Sequence, residues 1–265
     1  AHGRLYAIMY DVSGVEDSEM LARIGSDWNY LVGALDVTNS PSYANHEGKP
    51  VVCIWGLGFK NRGLTPGTAN AIIEFFRDDH GMTVMGGVPD GWRTLSGSSE
   101  TAGAWGAVYR SFDIISPWTV GRYKTLQEID NWRENKIVPD LAAATAVGAD
   151  YMPVMFPGFS WHNIHDGPLN QIPRLGGEFY WRQAYNAVDA GCTMLYTAMF
   201  DEMDEGTAML KMAETVDDLP AGAAMVPLDA DGISLPSDWY LSVGGEAARM
   251  LRGEIPLEGS LPIQP

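Results

Sequence analysis

Four carboxylates lie within five positions of the sequence, at Asp201, Glu202, Asp204 and Glu205. They follow the apolar run MLYTAMF and precede Gly206, so they lie where a buried strand would end. Like charges this close repel one another, and partial burial makes it costly to ionise both members of a pair. Two carboxyls that share one proton at neutral pH suit the cleavage of a glycosidic bond, which needs an acid and a base.

Three other interpretations of the acidic cluster remain open from its residues alone. Charge runs are commonly solvated loops. A calcium site would use several carboxylates, but the spacing does not follow the alternating pattern of a calcium loop, and the run Asp-Ala-Asp-Gly at 229–232 is typical of a turn. A carbohydrate-binding protein without turnover would use aromatic rings and would not need the pair. We predict no metal and no other cofactor.

Aromatic and polar residues follow several other apolar runs. Nine tryptophans in 265 residues is a high number, and tryptophan rings often line ligand clefts. The planar guanidinium of Arg174 would hold a carboxylate of the cluster or of a substrate, or else pin a loop through a salt bridge. Asp11 would bind sugar hydroxyls or cap a helix. The predicted substrate-binding residues are Asp11, Trp55, Trp92, Arg93, Trp118, Trp161, His162, Asn163, Arg174, Asp201 and Asp204.

The elements that must position these residues alternate between strands and helices. Near-continuous apolar runs predict strands buried on both faces of a parallel sheet, and the segments between them have apolar residues at helical spacing. This order is typical of the α/β class. The predicted strand segments are 4–14, 49–59, 82–92, 112–121, 150–161 and 191–202, and the predicted helices are 17–35, 65–81, 125–148 and 178–191.

The polar and aromatic residues gather at the carboxyl ends of the predicted strands. This asymmetry is typical of a (β/α)8 barrel of the TIM type, which builds its site from the loops after its strands. A doubly wound sheet would often carry a glycine fingerprint, which GLGFKNRG does not match. We count six strands where the barrel needs eight, so we expect the first two strand–helix units to be missing. We predict one catalytic barrel domain over 1–265, with 224–265 as a C-terminal extension packed on the barrel.

The composition excludes several classes of partner. The formal net charge of −17 would repel nucleic acid and anionic membrane surfaces. No apolar run reaches the length of a membrane span. Cys53 and Cys192 lie in apolar runs, which predicts two buried thiols rather than a disulfide framework. The tryptophan rings and the acidic pair predict a carbohydrate as the partner, and the sequence leaves the oligomeric state open.

Several segments together resemble known families. The run MFDEMDEGTAM resembles the end-of-barrel signature Asn-Glu-Trp-His-Glu-Gly-Thr of glycoside hydrolase family 99, the endo-acting α-mannosidases and α-mannanases, and keeps Glu202, Glu205, Gly206 and Thr207. A wider bacterial and fungal group, related to families 71 and 99 and labelled xylosidase/arabinosidase, is similar over nearly the whole chain. The segments that carry this similarity are IMYDVSG, GKPVVCIWGLGF, SPWTVGRY, PVMFPGFSWHN, NQIPRLGGEFYWRQAYNA and LPSDWYLSVGGEAARMLRGEI.

The resemblance implies a retaining glycoside hydrolase that acts on a polysaccharide or oligosaccharide. In family 99 the first Glu is the base that acts on the sugar's own 2-hydroxyl, giving a 1,2-anhydro intermediate, and the second Glu is the acid. Carried over, Glu202 is the base and Glu205 the acid. Met203 and Asp204 replace the family's Trp and His, and Asp201 replaces its Asn, so the mannose contacts are not implied. Such proteins are largely exported, which implies a secreted or periplasmic location although no signal peptide is visible.

Overall fold

The structure, a computed structural model, describes residues 3–265. They form two compact units. The first unit holds the described residues up to Trp118 together with Asp140–Tyr151, and the second holds Thr119–Pro139 together with Met152–Pro265. One barrel domain over 1–265 stays a prediction.

The first unit is built on a parallel sheet. Its strands are β1 (Ile8–Asp11), β2 (Asn45–His46), β3 (Lys49–Trp55), β4 (Thr83–Pro89), β5 (Ile114–Trp118) and β6 (Asp150–Tyr151). Five of them pair in parallel in the order β1-β3-β4-β5-β6, and the short β2 pairs antiparallel with β3. Every residue of β4 is buried, as expected of a central strand covered on both faces.

The helices of the first unit are α1 (Asp17–Gly33), α2 (Pro66–Glu74) with a π-helical turn at Phe75–Asp79, and α3 (Gly103–Tyr109). The start of α2 is set by Thr65, whose Oγ1 accepts a hydrogen bond from Thr68 N at 3.2 Å, and by Pro66 in its first turn. On β4, a Cβ at Gly86 or Gly87 would collide with the ring of Phe112 or of Trp55. These two glycines therefore let aromatic rings pack directly against the strand.

The second unit contains a smaller sheet and the remaining helices. Strands β7 (Val154–Met155) and β8 (Tyr196–Thr197) pair in parallel. The helical run from 126 to 145 consists of α4 (Leu126–Trp132), a π-helical turn (Arg133–Ile137) and α5 (Val138–Thr145), whose later part belongs to the first unit. The others are α6 (His162–His165), α7 (Glu178–Asp189) and α8 (Trp239–Leu251), and short 3-10 turns of this unit lie at Leu175–Gly177, Val216–Asp218 and Leu228–Asp231. A further 3-10 turn, Val37–Asn39, belongs to the first unit.

Helix α8 packs on α7 through one apolar face. Its buried residues recur at helical spacing and join Tyr180 and Trp181 of α7 in a single core. Trp239 Nε1 also donates a hydrogen bond to Gly176 O at 2.8 Å, which fixes the start of α8 against the turn before α7. The buried residues of α8 are Trp239, Tyr240, Val243, Ala247 and Met250.

The predicted elements are confirmed with small changes. Each of the six predicted strand segments contains a strand, and the segment 150–161 contains both β6 and β7. The four predicted helices are present, whereas the short elements β2 and α3 were not predicted. Cys53 and Cys192 are buried free thiols, and burial raises the pKa of both to about 12. None of the helices in residues 3–265 is long and apolar enough to cross a membrane.

A buried amide joins α7 to the residue after β7. Gln183 is 3% exposed. Its Oε1 accepts hydrogen bonds from Tyr123 Oη at 2.8 Å and Phe156 N at 3.0 Å, and its Nε2 donates to Phe156 O and Phe179 O, both at 2.8 Å. The amide thus uses its full capacity of two donors and two accepting lone pairs.

We expect Gln183→Leu to lower the free energy of unfolding by about 2–4 kcal/mol, because it leaves several buried polar groups without partners. Urea denaturation followed by circular dichroism measures this change. The matched control is Gln127→Leu, at an exposed position on α4, which should change stability by less than about 0.5 kcal/mol. Equal effects of the two substitutions would contradict the structural role of Gln183.

Candidate functional site

The acidic cluster lies in a tight loop after β8. Thr207 N donates a hydrogen bond to Glu202 O at 3.1 Å, and Gly206 N donates to Met203 O at 3.2 Å, so the loop folds back on itself. Gly206 has φ +69°, which favours glycine, and a Cβ there would lie 3.4 Å from Ser160. The turn therefore holds the two glutamates on one short, compact stretch of backbone.

Glu202 and Glu205 are half-buried, whereas Asp201 and Asp204 are exposed. Burial raises the pKa of Glu205 to about 7, and the charges of Glu202 and Asp204 add to the rise. Burial also raises the pKa of Glu202, with a contribution from Asp204, while a hydrogen bond from Thr207 acts against it. Within residues 3–265, no arginine or lysine forms an ion pair with either glutamate. Glu205 therefore holds a proton for a substantial part of the time at neutral pH.

Arg174 anchors this loop from inside the protein. It is 2% exposed, and its Nη1 and Nη2 donate hydrogen bonds to Ala208 O at 3.0 Å and Gly206 O at 2.7 Å. Its guanidinium carbon lies 4.6 Å from the centre of the Tyr240 ring, and burial lowers its pKa. This corrects the prediction of Arg174 as a substrate contact, because a buried guanidinium bound to backbone carbonyls has no access to a ligand. Among residues 3–265, Arg174 also does not form the predicted alternative, a salt bridge that pins a loop.

A second loop is joined to the acidic loop by Ser160 and Asn163. Ser160 N donates a hydrogen bond to Glu205 O at 2.7 Å. Asn163 Nδ2 donates to Asp204 O at 2.7 Å and to Ala224 O at 2.8 Å, which occupies both of its N–H groups. Asn163 was predicted as a substrate contact, and the structure shows that its donors instead position the acidic loop.

Trp161 directly follows the point where the two loops join. Its half-buried ring packs 4.5 Å from Phe159 and 5.2 Å from His165, measured between ring centres. His162 Nδ1 lies 2.9 Å from Gly167 O, so Nδ1 carries the hydrogen and a neutral His162 keeps Nε2 as an acceptor. The second unit thus brings Trp161, His162, Asn163 and the whole acidic cluster together.

The first unit brings together another group of predicted residues. The parallel register pairs Asp11 with Trp55 and Pro89 with Trp118, at the carboxyl ends of four strands. The rings of Trp55 and Trp118 are half-buried and lie 5.1 Å apart in an edge-to-face arrangement. Asp11 is exposed, and its Oδ1 accepts a hydrogen bond from Ser13 N at 2.8 Å. These three side chains are therefore available to a ligand on this edge of the sheet.

Trp92 and Arg93 both donate to a buried carboxylate, that of Asp140. Trp92 is 0% exposed, and its Nε1 donates a hydrogen bond to Asp140 Oδ2 at 3.1 Å. Arg93 Nε donates to Asp140 Oδ1 at 2.6 Å. The prediction of Trp92 as a substrate contact is corrected, because its ring is buried and its donor is engaged with a buried carboxylate. Arg93 is partly exposed, and its role as a substrate contact stays a prediction. Asp140 was missed, and its only signal in the sequence is an acid inside the apolar run VPDLAAA.

The clustered acids do not form a recognisable metal site. Within residues 3–265, no group of three or more His, Cys, Asp or Glu side chains is arranged to hold a metal ion. The groups of the second unit that could take part in chemistry are its two half-buried glutamates and the aromatic and imidazole groups beside them.

Comparisons with known proteins give similarity in structure but not in sequence. No protein-family model matches the chain, and no curated protein matches it. The GH99 endo-α-mannosidase of Bacteroides thetaiotaomicron superposes with a TM-score of 0.67 at 13% identity, over 92% of this chain and 66% of that one. The same enzyme with Bis-Tris propane gives 0.65 at 15% identity, over 92% and 69%. A glycoside hydrolase-like protein gives 0.57 at 17% identity, over 84% and 61%.

These identities are too low to transfer an activity, since one fold carries many functions. The chain spans about two thirds of the length of these neighbours. The xylosidase/arabinosidase grouping stays a prediction. The likeness shows the fold, which is a partial (β/α)8 barrel of the TIM type as predicted, and it is similar to the fold of a family 99 endo-α-mannosidase.

Proposed function

We propose that this chain is a glycoside hydrolase that acts on a polysaccharide or oligosaccharide, with Glu202 as the base and Glu205 as the acid. The observation that carries the proposal is the half-buried Glu205 carboxyl, which lies beside a second carboxyl, has no cationic partner in residues 3–265 and has a pKa of about 7. A group that titrates near the working pH both holds a proton and gives it up readily. The fold shared with a family 99 glycosidase supports the same reaction class.

The two glutamates divide the reaction between them. Glu205 donates its proton to the glycosidic oxygen as the bond to the anomeric carbon breaks, so the leaving alcohol departs neutral. Glu202, the first of the pair to ionise, removes the proton from the sugar's 2-hydroxyl, whose oxygen attacks the anomeric carbon. Water then opens the 1,2-anhydro ring with the two roles reversed, and the anomeric configuration is retained. The negative charge on Glu202 keeps the proton on Glu205 until it is needed.

The neighbouring residues bind the sugar in this proposal. The Trp161 ring supplies a flat apolar face, and His162 Nε2 accepts a hydrogen bond from a sugar hydroxyl. The exposed carboxylates of Asp201 and Asp204 accept hydrogen bonds from further hydroxyls and keep the field negative, which stabilises the positive charge that develops on the sugar ring. We place the protein in the secreted or periplasmic fraction, as the family resemblance implies.

Glu205→Gln should lower kcat by about 10²–10⁴, because the amide keeps the shape of the acid but cannot donate the proton. Reducing-sugar release from a panel of α-linked polysaccharides measures the rate, and calorimetry shows whether the variant still binds the glycan. Glu258→Gln, an exposed glutamate outside the site, is the matched control and should keep wild-type activity. Glycan binding without hydrolysis by the wild type would favour the alternative, a non-catalytic carbohydrate-binding protein.

The raised pKa of Glu205 also predicts how stability depends on pH. Its pKa in the folded state, about 7, exceeds the ordinary value of 4.5. The folded state therefore binds this proton more tightly, and the resulting stability is full below about pH 4.5 and is lost as pH rises through about 7. Glu205→Gln removes this loss, so Tm of the variant minus Tm of the wild type should increase from pH 5 to pH 8. Thermal unfolding at both values tests this, and the same increase in Glu258→Gln would contradict it.

Arg174 is a positioning residue for the two glutamates in this proposal. Arg174→Met keeps the apolar stem but releases Gly206 O and Ala208 O, so the acidic loop should loosen and kcat should fall by about 10-fold or more. KM should change little, because Arg174 is buried and touches no substrate. The pH–rate profile is the decisive readout, since its limbs should shift if the loop moves. An unchanged profile and kcat in a folded variant would contradict the role.

A further inference from the structure

The carboxyl edge of the sheet in the first unit carries a polar group that the sequence prediction did not include. Arg62 is exposed, and its guanidinium carbon lies 4.9 Å from the centre of the Trp55 ring and 5.0 Å from that of Phe59. Its Nη1 donates a hydrogen bond to Ser13 Oγ, and Ser13 N in turn donates to Asp11 Oδ1 at 2.8 Å. Asp11, Ser13 and Arg62 thus form a connected row beside an aromatic floor.

The backbone of Gly56 makes this row possible. Gly56 has φ +106°, and a Cβ there would lie 3.2 Å from Val12, 3.4 Å from Ser13 Oγ and 3.5 Å from Asp11 Oδ1. The loop after β1 therefore packs closely against the end of β3, at a residue whose positive φ favours glycine. A hydrogen bond from Val12 N to Trp55 O at 2.9 Å fixes the same approach.

The row keeps hydrogen-bonding capacity for a ligand. A guanidinium has five N–H donors, and among residues 3–265 Arg62 uses one of them, on Ser13. Asp11 Oδ2 likewise accepts from no donor in the described part of the chain. Unused donors and an unused acceptor therefore lie at the two ends of the row, and Trp118 offers a half-buried ring 5.1 Å from Trp55.

We propose that Asp11, Ser13 and Arg62, with the Trp55–Trp118 floor, form a binding site for a neutral sugar with adjacent hydroxyls. A hydroxyl both donates and accepts, so two neighbouring hydroxyls satisfy the carboxylate and the guanidinium at once. A uronate or sulfated sugar would face the charge of Asp11, and an amino sugar would face the charge of Arg62. The choice of a sugar as the ligand rests on the proposed function, whereas its neutrality and the roles of Ser13 and Arg62 come from this row.

Affinity electrophoresis of the full chain tests the site, with three polysaccharides as probes. They are a neutral α-mannan, a neutral arabinoxylan and the anionic polygalacturonate. We expect the wild type to bind a neutral probe in preference to polygalacturonate. Arg62→Met keeps much of the contact with Trp55 but has no donors, and it should weaken binding about 10-fold or more. Arg23→Met, an exposed arginine on α1, is the matched control and should bind like the wild type.

Two further substitutions make the test sharper. Asp11→Asn should weaken binding of a neutral sugar, because the amide is a weaker acceptor, whereas it would strengthen binding of polygalacturonate if the site accepted anions. Ser13→Ala should weaken binding by about threefold, because Arg62 loses the contact that orients it. Binding that is unchanged in Arg62→Met, a preference for polygalacturonate that Asp11→Asn increases, or failure of the wild type to bind either neutral probe would overturn the inference.

Hydrolysis is measured on the same samples. Failure of the proposed sugar-binding site can then be distinguished from failure of the proposed hydrolase activity. Binding that depends on Arg62, without hydrolysis of any probe, would support this site and contradict the hydrolase. Hydrolysis that depends on Glu205, with binding unaffected by Arg62→Met, would support the hydrolase and contradict this site. Circular dichroism of each variant verifies that a loss of binding does not come from unfolding.

Discussion

The arrangement of the second unit depends on keeping a buried cation away from two half-buried carboxyls. An arginine that paired with Glu205 would hold it ionised and remove its proton at neutral pH. Arg174 instead donates to the backbone carbonyls of Gly206 and Ala208, immediately after the acid. The loop is thereby fixed by a charged group, while the carboxyl that the loop carries keeps a pKa of about 7. Arg174 can therefore hold the loop in place without forming an ion pair with Glu205, because its hydrogen bonds go to backbone carbonyl groups.

Desolvation is the largest cause of the raised pKa of both glutamates. The backbone of the same loop is held by its turn at Gly206 and by Ser160, whose N–H donates a hydrogen bond to Glu205 O at 2.7 Å. The charges of Glu202 and Asp204 raise the pKa of Glu205 further, so repulsion within the cluster favours a proton on this residue. The hydrogen bond from Thr207 then distinguishes Glu202 as the more readily ionised member.

The first unit contains charged side chains in two different environments, the buried interior and the exposed edge of the sheet. Asp140, inside the unit, has Trp92 and Arg93 as donors, as a buried carboxylate requires. Asp11 and Arg62, at the carboxyl edge of the sheet, are exposed and joined through Ser13, and each keeps hydrogen-bonding capacity that no other group among residues 3–265 uses. The same residue types therefore serve stability in the interior and keep unused hydrogen-bonding capacity at the edge. Burial, rather than chemical type, decides between the two roles.

The sequence by itself determined the elements and the acidic pair, because apolar periodicity and a run of carboxylates after a buried strand are local patterns. Which of the predicted polar and aromatic residues are exposed, and which are buried with partners, depends on the tertiary structure. Trp92 was predicted as a substrate contact at a strand end, but its ring is buried and its Nε1 donates to Asp140, which lies 48 positions away in the sequence. Arg174 was predicted to bind a carboxylate, but it binds backbone carbonyls more than 30 positions away. Arg62 was not predicted as a site residue, although its guanidinium lies over the Trp55 ring. Such pairings depend on distances in the folded chain, which no local pattern records.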